Sequence, residues 1–199
     1  MELYQLRPDG RVLIGRRDGV RELGDGGPGD GALLRFIDDG QVAHYLVGDA
    51  ATSPQNPSNA TYKLGLVAPH SAFTPHAHGG EHVVLSLGHA VCGLWDADAR
   101  RVVRVPLAPG LMVRIPELMP HSFGNRGPRR LPILAANTGY GLDHPDYAVT
   151  AAEAERRGDT ELATALREVE HSRTADAVTV RERLAARLRR LAHALEVPR

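Results

Sequence analysis

The sequence predicts a mostly β protein, a sandwich or barrel of short strands followed by a helical segment. Three observations predict it. Apolar runs of strand length recur every eight to twelve residues from Ala32 to Asn137, separated by Gly, Pro and Asp punctuation. Hydrophobic residues make up 42% of the 199 positions, enough for a real core. Beyond Tyr140 the pattern changes to helical spacing.

Taken in order, residues 1–31 read as an arm. Leu3–Leu6 and Arg11–Ile14 suit short strands, and the run Gly24-Asp25-Gly26-Gly27-Pro28-Gly29-Asp30-Gly31 reads as a loop. That run lacks the Lys-Ser/Thr and the helix of a phosphate cradle. Leu33–Ile37 and Gln41–Val47 read as a hairpin around Asp39-Gly40. A polar loop covers 49–59, at one end of the barrel or as a plain surface connection. Thr61–Val67 follows, with Tyr62, Leu64 and Leu66 on one face and Thr61, Lys63, Gly65 and Val67 on the other. Further strands are expected at Val83–Leu87, Val91–Trp95, Val102–Pro106, Leu111–Ile115, Met119–Phe123 and Leu131–Asn137. Thr150 and Glu153 form a capping box, with Val149 as hydrophobic staple, opening a helix that ends near Gly158. A second helix is expected from Thr160 to His171. A third runs from Ala177 to Leu195, with Val180, Leu184, Leu188, Leu191 and Leu195 on one face.

Charge narrows the function classes. Lys plus Arg and Asp plus Glu are 24 each, interspersed, so no nucleic-acid or membrane footprint is expected. The arginines of the third helix read as a solvated face. One cysteine, Cys92, excludes an internal disulfide framework and reads as a small core residue. No apolar run approaches the roughly 20 residues of a membrane span, and no secretory leader is read at Met1. A soluble cytoplasmic chain is the expectation.

The chemistry concentrates in Thr74-Pro75-His76-Ala77-His78-Gly79-Gly80-Glu81-His82-Val83-Val84-Leu85-Ser86-Leu87-Gly88. His76 and His78 are two apart, so an extended segment presents both to one face, where a single cation would take two nitrogens. A helical site would space them three or four apart. About forty residues on, Gly110-Leu111-Met112-Val113-Arg114-Ile115-Pro116-Glu117-Leu118-Met119-Pro120-His121-Ser122-Phe123-Gly124-Asn125 supplies His121.

Together these stretches resemble the two motifs of the cupin superfamily, G-x5-H-x-H-x3/4-E-x6-G and G-x5-P-x-G-x2-H-x3-N. Gly110, Pro116, His121 and Asn125 match the second, with Leu118 in place of a glycine. His76, His78 and Glu81-x6-Gly88 match the first, with His70 in place of its leading glycine. The loop after His78 is one residue short. Counting forward from His78 selects His82, and counting back from Gly88 selects Glu81. Glu81 is the expected fourth ligand, because an inward Glu81 also turns Val83, Leu85 and Leu87 inward as an apolar wall. The resemblance implies a cupin-type double-stranded β-helix, a jelly-roll barrel over 32–140, with a C-terminal helical appendage over 141–199. It implies a metal held by His76, His78, Glu81 and His121.

Such a donor set suits Fe(II), Mn(II), Ni(II), Cu(II) or Zn(II) rather than Ca(II) or Mg(II). Fe(II) is the expected ion, and a dioxygenase-type oxygenase acting on a small organic substrate is the expected enzyme. A non-redox lyase or isomerase is the alternative, and a non-catalytic small-molecule-binding cupin is the third reading. Val83, Leu85, Leu87, Met112 or Val113, Ile115, Phe123 and Leu134 are the expected cavity lining. Glu117, His82 and His89 read as surface residues, and Trp95 as core. Tyr140, His144 and Tyr147 are placed to reach the barrel mouth. Arg114 and Arg126 are candidates for a phosphate site without special claim. The helices are expected on the barrel's outside or at a homodimer interface.

Overall fold

The structure, a computed structural model, describes residues 2–25, 41–47, 60–138 and 145–173. The expected strand Leu33–Ile37, the glycine run beyond Asp25, the 49–59 loop, Tyr140, His144 and the third helix lie outside the described residues.

The N-terminal arm forms three strands, β1 (Leu3–Leu6), β2 (Val12–Arg16) and β3 (Gly19–Glu22), in an antiparallel sheet. Then follow β4 (Val42–Val47), β5 (Ala60–Val67), β6 (Ser71–Ala72), β7 (His76–Ala77) and β8 (His82–Ser86). Next come β9 (Ala90–Asp96), β10 (Arg101–Leu107), β11 (Met112–Ile115), β12 (His121–Asn125), β13 (Leu131–Thr138) and β14 (Val149–Thr150). One sheet has the order β11-β8-β13-β5-β4; the other has β10-β9-β12-β7-β14, with β6 also on β12. All pairings are antiparallel, and successive strands alternate between the two sheets through most of the chain. That is the double-stranded β-helix the sequence predicts. It folds because each strand has an inward row apolar enough to close on the opposite sheet.

The space between the sheets is filled by Val67, Phe73, Val84, Ala90, Cys92, Leu107, Ile115, Phe123, Leu131, Ile133 and Ala135. Each fully buried Val, Ile or Phe there contributes about 1.5–3 kcal/mol relative to exposure. A second core lies on the other side of the β8-β13-β5 wall. There Val12, Ile14 and Leu23 of the N-terminal arm pack with Leu64 and Leu66, joined by Leu87 and Leu134. The wall therefore carries apolar residues on both faces, as strands buried on two sides do, with its inner face polar towards Thr61, Lys63, His82 and Asn137.

This corrects the expected lining. Residues 82, 84 and 86 of β8 are the buried row, while Val83 and Leu85 are only half-buried and Leu87 joins the outer core. Met112 is 66% exposed, and Leu134 faces the arm. Ile115, Phe123 and Val113 do belong to the interior.

The C-terminal elements cover the second sheet. Thr150 caps helix α1 (Ala151–Arg156), its hydroxyl accepting from the Glu153 N–H at 3.4 Å. A second helix is described over 160–173. Val149, Ala154, Ala163 and Leu166 pack together. Val169 lies beside Gly93 of β9, and an Arg173 N–H donates to the Ala72 carbonyl at 3.1 Å.

The two residues that stand in place of motif glycines fall at backbone positions suited to glycine. His70 and Leu118 take φ of 53° and 55°. Gly80 is needed for a different reason, since a Cβ there would meet the Thr138 carbonyl oxygen at 1.8 Å.

Candidate metal centre

The two sheets bring the histidines together through register. His121 on β12 is the cross-strand partner of His76 on β7. His78 follows one residue beyond β7, in a loop held by the Leu118 N–H donating to the His78 carbonyl at 2.7 Å and the Gly79 N–H donating to the Asp146 carbonyl at 2.7 Å. One ring nitrogen each from His76, His78 and His121 lie within 4.8 Å of one another. All three side chains are buried.

Their tautomers follow from their partners. Nδ1 of His76 faces the Thr74 carbonyl at 2.7 Å, Nδ1 of His121 faces the Met119 carbonyl at 2.9 Å, and Nδ1 of His78 faces the Tyr147 carbonyl. A carbonyl oxygen only accepts, so each Nδ1 carries the hydrogen and each Nε2 presents a lone pair. Nε2 of His78 and Nε2 of His121 are buried with no protein hydrogen-bond partner. Carbonyl-anchored imidazoles with bare, converging Nε2 atoms are the arrangement that metal-ligating histidines adopt. A divalent transition ion fits this donor set.

Burial keeps the rings neutral. It pushes the His76 imidazole down to about 4 and the His121 imidazole down to about 3, with neighbouring positive charge at Lys63 adding to both. His78 and His82 are held well below the ordinary histidine value by burial and then by neighbouring imidazoles. Metal ligation needs the neutral form, so the fold supplies donors already deprotonated.

Glu81 is not part of this cluster. Its side chain is 43% exposed and its carboxylate pairs with Arg114 on the outside. The reason is register. The Glu81 N–H donates to the Thr138 hydroxyl at 3.1 Å and its carbonyl accepts from the Thr138 N–H at 2.9 Å, while His82 is the cross-strand partner of Asn137. With residue 81 pinned to the end of β13, alternation turns residue 82 inward. His82 is 4% exposed, its ring 4.5 Å from that of His78 and 5.1 Å from that of His121. Counting forward from His78 gives the inward residue; counting back from Gly88 does not. The side chain expected at the surface thus stands beside the three converging rings.

The remaining candidates divide. Glu117 and His89 are exposed, as expected, and Trp95 is half-buried. Cys92 is buried and free, its thiol pushed up to about 12 by burial. Tyr147 does reach the site, its ring 5.6 Å from that of His78. Two residues that sequence reasoning did not single out adjoin it. Nζ of Lys63 donates to the Tyr147 hydroxyl at 2.8 Å and to Asn137 Oδ1 at 3.1 Å. The available signal was parity: the chain's single lysine sits on the inward face of β5.

The described strands form a jelly-roll of two antiparallel sheets with a buried histidine cluster on its inner wall, and the two stretches that carry those histidines resemble the cupin motifs. No protein-family model matches the chain, and no curated protein sequence does. Among solved structures it is similar to oxalate decarboxylase of Bacillus subtilis, with 16% identity and a TM-score of 0.46 over 56% of this chain and 28% of that one. It is also similar to a cupin superfamily protein from Desulfitobacterium hafniense, with 16% identity and a TM-score of 0.40 over 53% of this chain and 83% of that one. A third likeness is to a chain from crystal structures of DMSP lyases, with 20% identity and a TM-score of 0.41 over 52% of this chain and 50% of that one. This chain thus spans well under a third of the decarboxylase's length. No helix among the described residues is long and apolar enough to cross a membrane.

Proposed function

We propose that this chain is a metal-dependent enzyme acting on a small organic substrate inside the barrel, with Fe(II) as its ion and an oxygenase reaction as its chemistry. The observation that carries the reading is the convergence of His76, His78 and His121, with Nδ1 of each anchored to a carbonyl. His76, His78 and His121 would hold the ion, with His82 in the place the motif gives to the carboxylate. Imidazole donors also suit Mn, Ni, Cu and Zn ions. A bound divalent ion would supply Lewis-acid polarisation and, for a redox-active ion, access to dioxygen. The chain's own residues do the rest. The apolar interior from Val84 to Phe123 excludes water from one side of the site. The carbonyls of Thr74, Met119 and Tyr147 orient the rings.

One observation favours a second reading, a non-redox lyase or isomerase. Lys63 and Tyr147 form a buried pair able to move a proton beside the histidines. Elemental analysis of protein purified without added metal, followed by turnover assays with and without dioxygen, tests both. The oxygenase reading expects iron and an absolute need for dioxygen. Undiminished anaerobic turnover selects the second reading, and protein free of any transition metal and unable to take one up refutes both.

A further inference from the structure

We propose that Thr61, Lys63 and Asn137 form a recognition subsite for the carboxylate of a small anionic substrate, beside the histidine cluster. The inference deepens the proposed function and rests on it for where the reacting atoms lie; the subsite itself rests on separate residues. The three side chains share the inner face of one wall. Asn137 on β13 is opposite Thr61 on β5 and opposite His82 on β8, and Lys63 is one inward step along β5 from Thr61. All three are more than nine-tenths buried.

Two of them carry a polar atom short of hydrogen-bond partners. Thr61 Oγ1 is buried and meets no hydrogen-bond partner, and Asn137 Nδ2 is buried with none but the neighbouring His82 imidazole, which its side chain adjoins across the strands. Asn137 Oδ1 accepts from Lys63 Nζ at 3.1 Å, which fixes the amide and leaves Nδ2 as a donor. A buried donor left unmade costs about 1–3 kcal/mol, so Thr61, with Asn137 Nδ2 beside it on the inner face of the wall, marks a place suited to an acceptor. The charge of that acceptor follows from the surroundings. Lys63 brings an ammonium held by the Tyr147 hydroxyl and set over the Tyr147 ring at 5.0 Å. Among the described residues no aspartate or glutamate is buried, so no protein carboxylate competes for Lys63 on this wall. A lysine and two neutral donors match the two oxygens of a carboxylate better than a neutral carbonyl. Anchoring there would hold a substrate's carboxylate on the β5-β13 wall and direct the rest of the molecule towards His78 and His121.

Calorimetric titration with malonate and with its neutral diamide, malonamide, tests this on metal-free and Co(II)-loaded full-length protein. The expected result is that malonate binds both forms and malonamide binds at least about tenfold more weakly. Lys63→Met should weaken malonate about tenfold or more, and the isosteric Thr61→Val about fivefold, with Co(II) stoichiometry unchanged in both. The Thr61→Val variant carries the test if Lys63→Met does not fold. Equal binding of malonate and malonamide, wild-type affinity in the folded variants, or no malonate binding by wild-type protein overturns the proposal. Malonate binding by metal-free protein that takes up no Co(II) would sink the metal centre and uphold the subsite.

Discussion

Replacing His121 by alanine should strip the metal while leaving the barrel folded, and replacing Glu81 by alanine should do neither. His121 is fully buried at the centre of its sheet, between β9 and β7. Its ring is one of three whose nitrogens lie within 4.8 Å of one another. Losing even an outer hydrogen-bond partner of a metal ligand costs about 10–100-fold in affinity, so losing a ligand should cost at least about 100-fold, roughly 2.7 kcal/mol. The fold loses less than that loss of affinity suggests, because truncation also removes a buried Nε2 that has no protein partner. Glu81 is different in kind. Its ion pair with Arg114 joins side chains 43% and 69% exposed, and such pairs contribute about 0–1 kcal/mol. The assay is Co(II) titration followed by visible absorption, with thermal unfolding as the control for folding. Wild-type Co(II) affinity in His121→Ala, or loss of Co(II) from Glu81→Ala with His82 intact, would refute the geometry.

Two further outcomes follow from the same structure. The metal-free protein should lose stability as pH falls below about 6.5, where unfolded histidines begin to take up protons that the buried rings refuse. For His76, held down to about 4, the difference reaches about 3 kcal/mol by pH 4. Urea midpoints that stay flat between pH 7 and 4.5 would contradict it. Leu118→Gly should raise stability by up to about 1 kcal/mol, since Leu118 has φ of 55° and is 44% exposed. A fall in the thermal midpoint would show that the leucine side chain outweighs its backbone strain.

Much of this architecture was legible because strand spacing and motif spacing agree. The pairing of His76 with His121 was implicit in two motifs forty residues apart, and the capping box at Thr150 read directly as a helix start. The inward face of β8 was not legible. Parity was inferred from Val83, Leu85 and Leu87 as an apolar row, but that row lies on the side of the wall nearer the N-terminal arm, where Leu87 packs with Val12, Ile14 and Leu23. The inward row of β8 is His82, Val84 and Ser86, less apolar than the row behind it, so hydrophobicity pointed to the wrong face. Backbone pairing of Glu81 with Thr138 decided the register, and no local pattern announces a contact across 57 residues. Lys63 and Asn137 were hidden for the same reason, since only the closed barrel brings their strands against the Tyr147 that the sequence already placed near its mouth.

The anchors of the three imidazoles are not alike. His76 and His121 lean on carbonyls two positions upstream, so their aim is set by the residues just before their own strands. His78 leans on Tyr147, in the 3-10 turn Pro145–Tyr147 that precedes the helices. The same tyrosine receives the lysine's proton donor and shares a hydroxyl contact with Tyr45. One short turn outside the barrel proper thus steers a donor nitrogen, an ammonium and a phenol together, and whatever displaces that turn retunes all three at once.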